Sequence, residues 1–263
     1  MKTKGILMML TAAFVLLGIS CKSTGKKTGD EEAAEEATME APADNTLSQA
    51  EMEEGWMLLF DGSSTNGWKG YNKDSFPEAG WTIEDGALKC IGSGEGEAGG
   101  QGGDIIYDRK FKDFHLKLDW KISEGGNSGI FYLAQEIPGT DIWKSAPEMQ
   151  VLDNERHIDA NLGKDGNRKA GSLYDLIPAN PQNAKPAGEW NQVEIIVYQG
   201  TVVHKMNGEQ VLEYHLGTPD WEELVANSKF AEYAEFGKYR EGYIGLQDHG
   251  NDVWFKNIKL KEL

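Results

Sequence analysis

The feature that most constrains the fold is the stretch Phe114–Ile122, in which apolar and polar side chains alternate strictly over nine residues. A period of two is typical of a β-strand with one buried face and one solvated face. Further stretches of strand character occur at 193–198, 202–206, 210–215, 243–247 and 253–260. Asn207-Gly208 lies between two of them and predicts a tight hairpin. Short strands joined by such turns indicate an all-β protein, either a β-sandwich or a jelly roll.

Two local departures from this pattern are expected. Thr218-Pro219-Asp220 offers a helix cap followed by proline at the first helical position, and apolar residues then recur at helical spacing. We therefore predict a short helical insert near 219–236, divided at Asn227-Ser228. In the last strand the apolar parity changes between Phe255 and Ile258, which indicates a β-bulge near Lys256-Asn257.

The first 54 residues differ from the rest. Residues 1–20 combine early lysines with an apolar run and predict a secretory signal peptide, and Cys21 follows directly. We interpret Cys21 as the lipidated residue of a lipoprotein; the alternative is a plain signal peptide with an incidental cysteine. Residues 21–54 are acidic and lack aromatics, which predicts a disordered tether, so the folded domain is expected at 55–263. The predicted location is the cell envelope, facing the periplasm.

The charge balance narrows the partners. The chain has 43 acidic and 26 basic residues and a formal net charge of −17. Such a chain lacks the basic surface that phosphate backbones require, so nucleic acid is not expected as a partner. Anionic lipid headgroups are disfavoured for the same reason, which leaves membrane attachment through the lipid anchor only. With Cys21 and Cys90 alone, the chain has neither a disulfide framework nor a cysteine-rich zinc module.

The most informative polar segment is Glu148–Asp153, with the pattern Glu-x-Gln-x-x-Asp. On a strand, Glu148 and Gln150 share one face while Met149 lies on the other. The pattern partly matches the Glu-x-Asp-x-x-Glu of laminarinase-type sandwich glycosidases, which use two nearby carboxyls. Glu148 and Asp153 are therefore candidate catalytic residues. The alternative is a polar cluster at a strand end that hydrogen-bonds loops.

Other candidate residues lie in separate segments. Gln247, Asp248 and His249 place an imidazole beside a carboxylate and an amide, a combination suited to proton transfer, although a lone histidine is more often structural. Asn127 lies between glycines and serine and can hydrogen-bond a hydroxylated ligand; an ordinary turn is the alternative. Aromatic side chains can stack on a sugar face or fill a core, and the two candidates are Trp143 and Tyr174. His204 and His215 are expected near the surface.

The order of these segments resembles one family. The matching segments are Trp56–Gly62, Gly126-Asn127-Ser128-Gly129-Ile130, Glu148–Asp153, Gly171–Asp175, Lys185–Asn191, Asn207-Gly208, Ser228-Lys229-Phe230 and Gly242–Gly250. Together they resemble the 3-keto-disaccharide hydrolase domain family over essentially all of 55–263. One departure is notable: the family commonly has arginine shortly after the Asn-Ser-Gly-Ile segment, where this chain has Tyr132-Leu133.

The resemblance implies a concanavalin-like jelly roll that cleaves 3-keto di- or oligosaccharides or other 3-keto-glycosides. A ketone at C3 acidifies the C2 proton, so the implied reaction is proton abstraction at C2 and elimination at C1, with or without later hydration. Glu148 or His249 would be the base, and the other of the two, or Asp153, the acid. Asn127, Gln150, Tyr174, Gln247, Trp143 and Asp248 would bind substrate.

The implied site leaves the cofactor and two other functions open. A divalent metal held by Glu148, Asp153 or His249 is possible chemistry for polarising the C3 oxygen, although no ligand spacing requires one. The alternatives are a non-catalytic carbohydrate-binding module and a conventional two-carboxylate glycosidase.

Overall fold

The computed structural model describes residues 43–94 and 100–263. The predicted signal peptide at 1–20, Cys21 and the tether up to residue 42 lie outside these described residues. Among the helices in the described part of the chain, none combines the length and apolarity that a membrane crossing requires.

The described residues form thirteen strands, two α-helices and three 3-10 helices. The strands are β1 (Met57–Leu58), β2 (Trp68–Gly70), β3 (Trp81–Glu84), β4 (Ala87–Cys90), β5 (Ile105–Tyr107), β6 (Phe114–Ile122), β7 (Asn127–Ala134), β8 (Glu148–Leu152), β9 (Asn191–Tyr198), β10 (Thr201–Met206), β11 (Glu209–His215), β12 (Tyr243–Leu246) and β13 (Val253–Glu262). The α-helices are α1 (Gln49–Glu53) and α2 (Pro219–Ala226), and the 3-10 helices span Ile142–Lys144, Ile158–Asn161 and Lys229–Glu232.

The strands form two antiparallel sheets. The eight-stranded sheet has the order β11-β10-β9-β6-β13-β4-β3, with β1 added against β13. The five-stranded sheet has the order β2-β5-β12-β7-β8. Apolar side chains from both sheets, including Leu118 and Trp120 of β6 and Met149 and Val151 of β8, form the core between them. The predicted all-β sandwich is confirmed.

The alternation in β6 is reproduced residue by residue: from Phe114 to Ile122 every second side chain is apolar and buried, and those between are partly exposed. The pairing of β13 with β6 shifts register between Lys256 and Lys259, which confirms the predicted bulge. Asn207, at φ 50°, and Gly208, at φ 87°, close the predicted β10–β11 hairpin. These features confirm that the sequence pattern specifies the large sheet in detail.

The helical insert is also confirmed. The hydroxyl of Thr218 caps α2 by accepting a hydrogen bond from Trp221 N at 3.2 Å. The indole of Trp221 stacks on the ring of Tyr214 from β11, with centroids 5.2 Å apart, and this contact joins the insert to the eight-stranded sheet. Asn227 ends α2, and the 3-10 helix Lys229–Glu232 follows, so the predicted division is correct.

The prediction of a disordered tether is wrong for residues 43–54. The side chain of Asn45 is only 8% exposed, and its Oδ1 accepts from the backbone N of Asn257 at 2.9 Å. The backbone N of Asn45 in turn donates to Asn257 Oδ1 at 2.6 Å. Asn257 lies in the β13 bulge, so Asn45 satisfies a backbone N–H of the bulge. Helix α1 follows, closed by a capping box between Ser48 and Glu51.

Candidate active site

A cavity with about 430 Å³ of empty space opens on the face of the five-stranded sheet that points away from the core. This volume falls in the range of ordinary small-molecule sites. Its lining residues come from strands β7 and β8, the first 3-10 helix, two loops and the helical insert: Asn127, Trp143, Glu148, Gln150, Tyr174, Lys229, Phe230, Gln247 and His249. Seven of the nine predicted site residues are therefore brought together.

Strand alternation explains why polar side chains reach this face. Met149 and Val151 of β8 enter the core, so Glu148 and Gln150 point the opposite way. β7 pairs with β8 and places Gly129 directly across from Gln150. A Cβ on Gly129 would lie 2.0 Å from Glu148 Oε1, so the glycine makes room for this carboxyl group.

The same face contains an apolar cluster further along the strands. Phe131 of β7 and Ile106 of β5 pack there with Ile142 and Ala146, which belong to or follow the first 3-10 helix. This cluster fills one part of the outer face and leaves the polar part open. Trp143 lies at the boundary, because it packs against both clusters and also lines the cavity.

Gln247 directly follows β12 and lines the cavity. Its backbone N donates to Gly129 O at 3.0 Å, and Ser128 Oγ donates to its carbonyl oxygen at 2.8 Å. These bonds fix the backbone while the side chain stays short of partners: Oε1 is buried and has no hydrogen-bond partner among the described residues. A buried acceptor without a donor is costly, by about 1–3 kcal/mol, so this oxygen is placed to receive a ligand's donor.

Glu148 is the titratable group most altered by this environment. Its side chain is 6% exposed, and burial raises its pKa from 4.5 to about 8. The Lys229 ammonium opposes this shift, and the charges of Asp104 and Asp159 add to it. The carboxyl group therefore holds a proton at neutral pH. A protonated carboxyl in a polar cavity has the properties of a general acid.

The amide of Gln150 supports this carboxyl. In the amide orientation that matches its neighbours, Gln150 Nε2 donates to Glu148 Oε1 and to Ser128 O, both at 3.1 Å. The Gln150 side chain is 1% exposed. Gln150 therefore holds Glu148 in place from within the sheet.

One wall of the cavity is aromatic and cationic. The Lys229 ammonium lies 4.0 Å from the centroid of the Tyr174 ring, and Tyr174 OH donates to Asp159 Oδ2 at 3.1 Å. Burial raises the pKa of Tyr174 further above its ordinary range, so its hydroxyl stays protonated. Trp143 meets Tyr233 edge to face, with centroids 5.0 Å apart, which joins its loop to the helical insert.

Two predicted site residues lie elsewhere. Asp153 follows the end of β8, and its carboxylate accepts from the backbone N of Gly125 at 2.7 Å and of Glu155 at 3.0 Å, so it stabilises the turns at this strand end. The carboxylate of Asp248 accepts hydrogen bonds from the backbone N of Gly102 and of Gly103, both at 3.0 Å. Neither carboxylate lines the cavity. The predicted placement of Asp153 as a catalytic acid and of Asp248 as a substrate contact is therefore not supported.

His204 corrects a second expectation, since it is fully buried rather than near the surface. Its Nε2 is 2.8 Å from Tyr132 OH, and its Nδ1 is 3.1 Å from Gly171 O. Tyr132 OH is also 2.6 Å from Tyr214 OH. Burial lowers the pKa of His204 to about 4, so the ring is neutral and serves as a bridge between the sheets. Tyr132, near the position where the resemblance leads one to expect arginine, therefore packs in the core.

The candidate metal ligands of the described residues do not form a metal site. Among residues 43–94 and 100–263, no three His, Cys, Asp or Glu side chains are placed to hold a metal ion together. Asp153 in particular is committed to backbone donors. The three ligands considered from the sequence therefore do not form one cluster in the described chain.

Sequence reasoning missed Lys229 and Phe230 as cavity residues. Both belong to the Ser228-Lys229-Phe230 segment of the family resemblance, which was the available signal. Their positions follow from local geometry: Ser228 Oγ accepts from Phe230 N at 3.1 Å and donates to Val225 O at 2.8 Å. Ser228 thus connects α2 to the 3-10 helix and fixes where Lys229 emerges.

Comparisons with known proteins agree on one family. Residues 55–261 match the model of the 3-keto-alpha-glucoside-1,2-lyase-like domain. A curated 3-keto-disaccharide hydrolase of Bacteroides thetaiotaomicron is 50% identical, with 96% of each chain covered. A crystal structure from Parabacteroides distasonis, provisionally named a glycosyl hydrolase, superposes with a TM-score of 0.74 at 31% identity, covering 84% of this chain and all of that one. A second such structure from the same organism gives 0.55 at 26% identity, covering 75% of this chain and all of that one.

Proposed function

The chain belongs to the 3-keto-alpha-glucoside-1,2-lyase-like domain family, and on that premise we propose that it cleaves the glycosidic bond of 3-keto-glycosides. The substrate class is a di- or oligosaccharide, or another glycoside, whose sugar carries a ketone at C3. Cleavage proceeds by removal of the C2 proton and elimination at C1. Water then adds to the unsaturated sugar, in this site or after release.

The observation that carries the proposal is the composition of the cavity wall. Among the described lining residues Glu148 is the one carboxyl group, since Asp153 and Asp248 both bind backbone groups outside the cavity. Retaining and inverting glycosidases commonly need two carboxyls on opposite sides of the scissile bond. An elimination needs one acid and one base, which Glu148 and His249 provide. The cavity therefore favours the 3-keto reaction over conventional glycoside hydrolysis.

The raised pKa of Glu148 assigns the two roles. A carboxyl that is protonated at neutral pH donates to the leaving glycosidic oxygen, and His249 then accepts the C2 proton. The electron pair of the C2–H bond forms the C2=C3 enolate. As the ketone reforms, this pair shifts to C1=C2 and the C1–O bond breaks. Glu148 supplies the proton that completes the released alcohol.

The amide side chains would hold the sugar. Gln247 Oε1, which is buried without a partner, accepts from a sugar hydroxyl, and Asn127 offers a second amide in the same wall. The rings of Trp143 and Tyr174 supply apolar surface for a pyranose face. A site of this kind binds a neutral polyol, which suits an acidic chain.

The deciding experiment compares a 3-keto-glucoside with its unoxidised parent. We expect release of the aglycone from the keto form alone, measured by chromatography, and appearance of the unsaturated or hydrated 3-keto sugar by NMR. Equal cleavage of the parent would identify a conventional glycosidase. Binding of the keto form without release would identify a carbohydrate-binding module.

We also propose that the mature chain is a lipoprotein of the cell envelope, attached through Cys21 and facing the periplasm. The support is the sequence pattern of residues 1–21. Metabolic labelling with a radioactive fatty acid is expected to label the wild-type chain and not Cys21→Ser. Equal labelling of both would contradict the proposal.

A further inference from the structure

Lys229 lines the cavity, yet the steps assigned to Glu148 and His249 leave it without a role. In the part of the chain that the structure describes, its ammonium has no ion-pair or hydrogen-bond partner, and the nearest aromatic ring centroid, that of Tyr174, is 4.0 Å away. Lys238, which follows the same insert, is by contrast paired with Glu222 at 2.8 Å. A cation left with donors free in a polar cavity is placed to meet an anionic or carbonyl oxygen.

Local capping and packing fix the position of Lys229. Ser228 caps its 3-10 helix, and the Phe230 side chain that follows is 3% exposed and stacks on Phe236 with centroids 3.9 Å apart. The backbone on both sides of Lys229 is therefore held. The face of Tyr174 stabilises the ammonium without occupying its hydrogen-bond donors.

Resting on the proposed function, we infer that Lys229 is a further catalytic residue, whose ammonium donates a hydrogen bond to the C3 oxygen of the substrate. As the C2–H electron pair becomes the C2=C3 double bond, negative charge develops on that oxygen. A preorganised cation there stabilises the enolate more than it stabilises the ketone, so it accelerates proton abstraction. No covalent bond to Lys229 forms, and its proton count is the same before and after the reaction.

The surrounding charges are compatible with this role. Burial lowers the pKa of Lys229, and the charge of Arg168 acts in the same direction. The charges of Asp175 and Asp159 oppose this effect. Arg168 forms ion pairs with both of these carboxylates, and neither pairs with Lys229. The remaining lining residues, apart from His249, are neutral or acidic, so Lys229 is suited to the position where negative charge appears.

The test compares Lys229→Met with Lys238→Met, which removes the same charge from a position just after the helical insert and outside the cavity. Each variant is assayed for aglycone release from a 3-keto-glucoside and for exchange of the C2 proton with solvent deuterium by NMR. We expect Lys229→Met to lower kcat and the exchange rate by about 100-fold with a change in KM below about 5-fold. Lys238→Met should stay within about twofold of wild type. Lys229→Arg, which keeps the charge, should recover part of the loss.

Three results would overturn the inference. One is unchanged C2 exchange in a folded Lys229→Met variant, and another is a rise in KM with kcat unchanged. The third is a covalent adduct of the substrate on Lys229 that borohydride reduction traps, which would show a Schiff base in place of the hydrogen bond. Failure of the proposed function is seen separately, because the wild-type protein itself would then not release the aglycone.

Discussion

The molecule has two depressions of opposite character. The cavity on the five-stranded sheet has about 430 Å³ of empty space, while a groove on the outside of the eight-stranded sheet has about 1350 Å³. We call the latter the lysine groove; its lining includes Lys117, Lys185, Trp190, Lys256 and Lys259.

One ion pair lies within the lysine groove. Lys256 lies 2.6 Å from Asp44 Oδ2 and 4.5 Å from the centroid of Trp190. The hydrogen bond from Lys256 lowers the pKa of Asp44, which is the response of a carboxylate with a partner. In the cavity the pKa of Glu148 moves in the opposite direction, because burial dominates. Size therefore does not distinguish the candidate active site from the lysine groove; desolvated and unpartnered polar groups do.

The largest loss of activity is expected for Glu148→Gln. Because the amide cannot donate a proton to the leaving oxygen as an acid, we expect kcat for a 3-keto-glucoside to fall by about 10²–10⁴-fold. The matched control is Asp44→Asn in the lysine groove, which should keep activity within about twofold. Steady-state kinetics measure both. Comparable losses in the two variants would remove the distinction between the depressions.

The same substitution should change how stability depends on pH. The folded chain holds a proton on Glu148 up to about pH 8, whereas the unfolded chain releases it near pH 4.5. The contribution of this carboxyl to the free energy of unfolding is therefore full below pH 4.5 and is lost as pH rises to about 8. Relative to wild type, Glu148→Gln should gain on the order of 2–4 kcal/mol between these limits. Urea unfolding at pH 4.5 and pH 9 measures the difference. An equal difference at both pH values would show that Glu148 is not buried as a neutral acid.

The large sheet was predictable because its signals are local. The alternation of Phe114–Ile122, the turn at Asn207-Gly208 and the cap at Thr218 each depend on neighbouring residues alone. The order of residues 43–54 was missed because it depends on Asn45 meeting Asn257, which is 212 positions away in the chain. Composition identified this segment as polar, but it could not show that a bulge elsewhere needs its hydrogen bonds.

The site was predictable to the extent that family segments and strand faces locate it. Glu148, Gln150 and Gln247 follow from alternation on strands, and His249 follows β12. The contribution of the helical insert was missed, because the packing that brings Lys229 over Tyr174 is tertiary. Asp153 was assigned to the site from the Glu-x-Gln-x-x-Asp pattern, and Asp248 because it lies between Gln247 and His249. At a strand end the next carboxylate binds turn donors instead.

Gln247→Met sharpens the comparison at a smaller scale. The substitution replaces an unpartnered buried amide oxygen by an apolar group of similar size. We expect the free energy of unfolding to stay level or rise by about 1 kcal/mol, because the unsatisfied oxygen is removed. KM for the 3-keto-glucoside should rise about tenfold, since a sugar hydroxyl loses its acceptor. Thermal unfolding and steady-state kinetics together test this trade. A clear loss of stability would mean that the amide has an internal structural role.

The smallest effect is expected for Lys256→Met in the lysine groove. The variant loses an ion pair with Asp44 and a contact with Trp190, but the ion pair is partly exposed and contributes at most about 1 kcal/mol. Aglycone release should stay within about twofold of wild type, and the melting temperature should fall by a few degrees at most. Because added salt screens such pairs, the stability difference should shrink in 0.5 M NaCl, where the screening length is about 4 Å. The Lys256 ammonium lies on the opposite sheet from Glu148. A tenfold loss of turnover in Lys256→Met would therefore mean that the lysine groove also takes part in substrate binding.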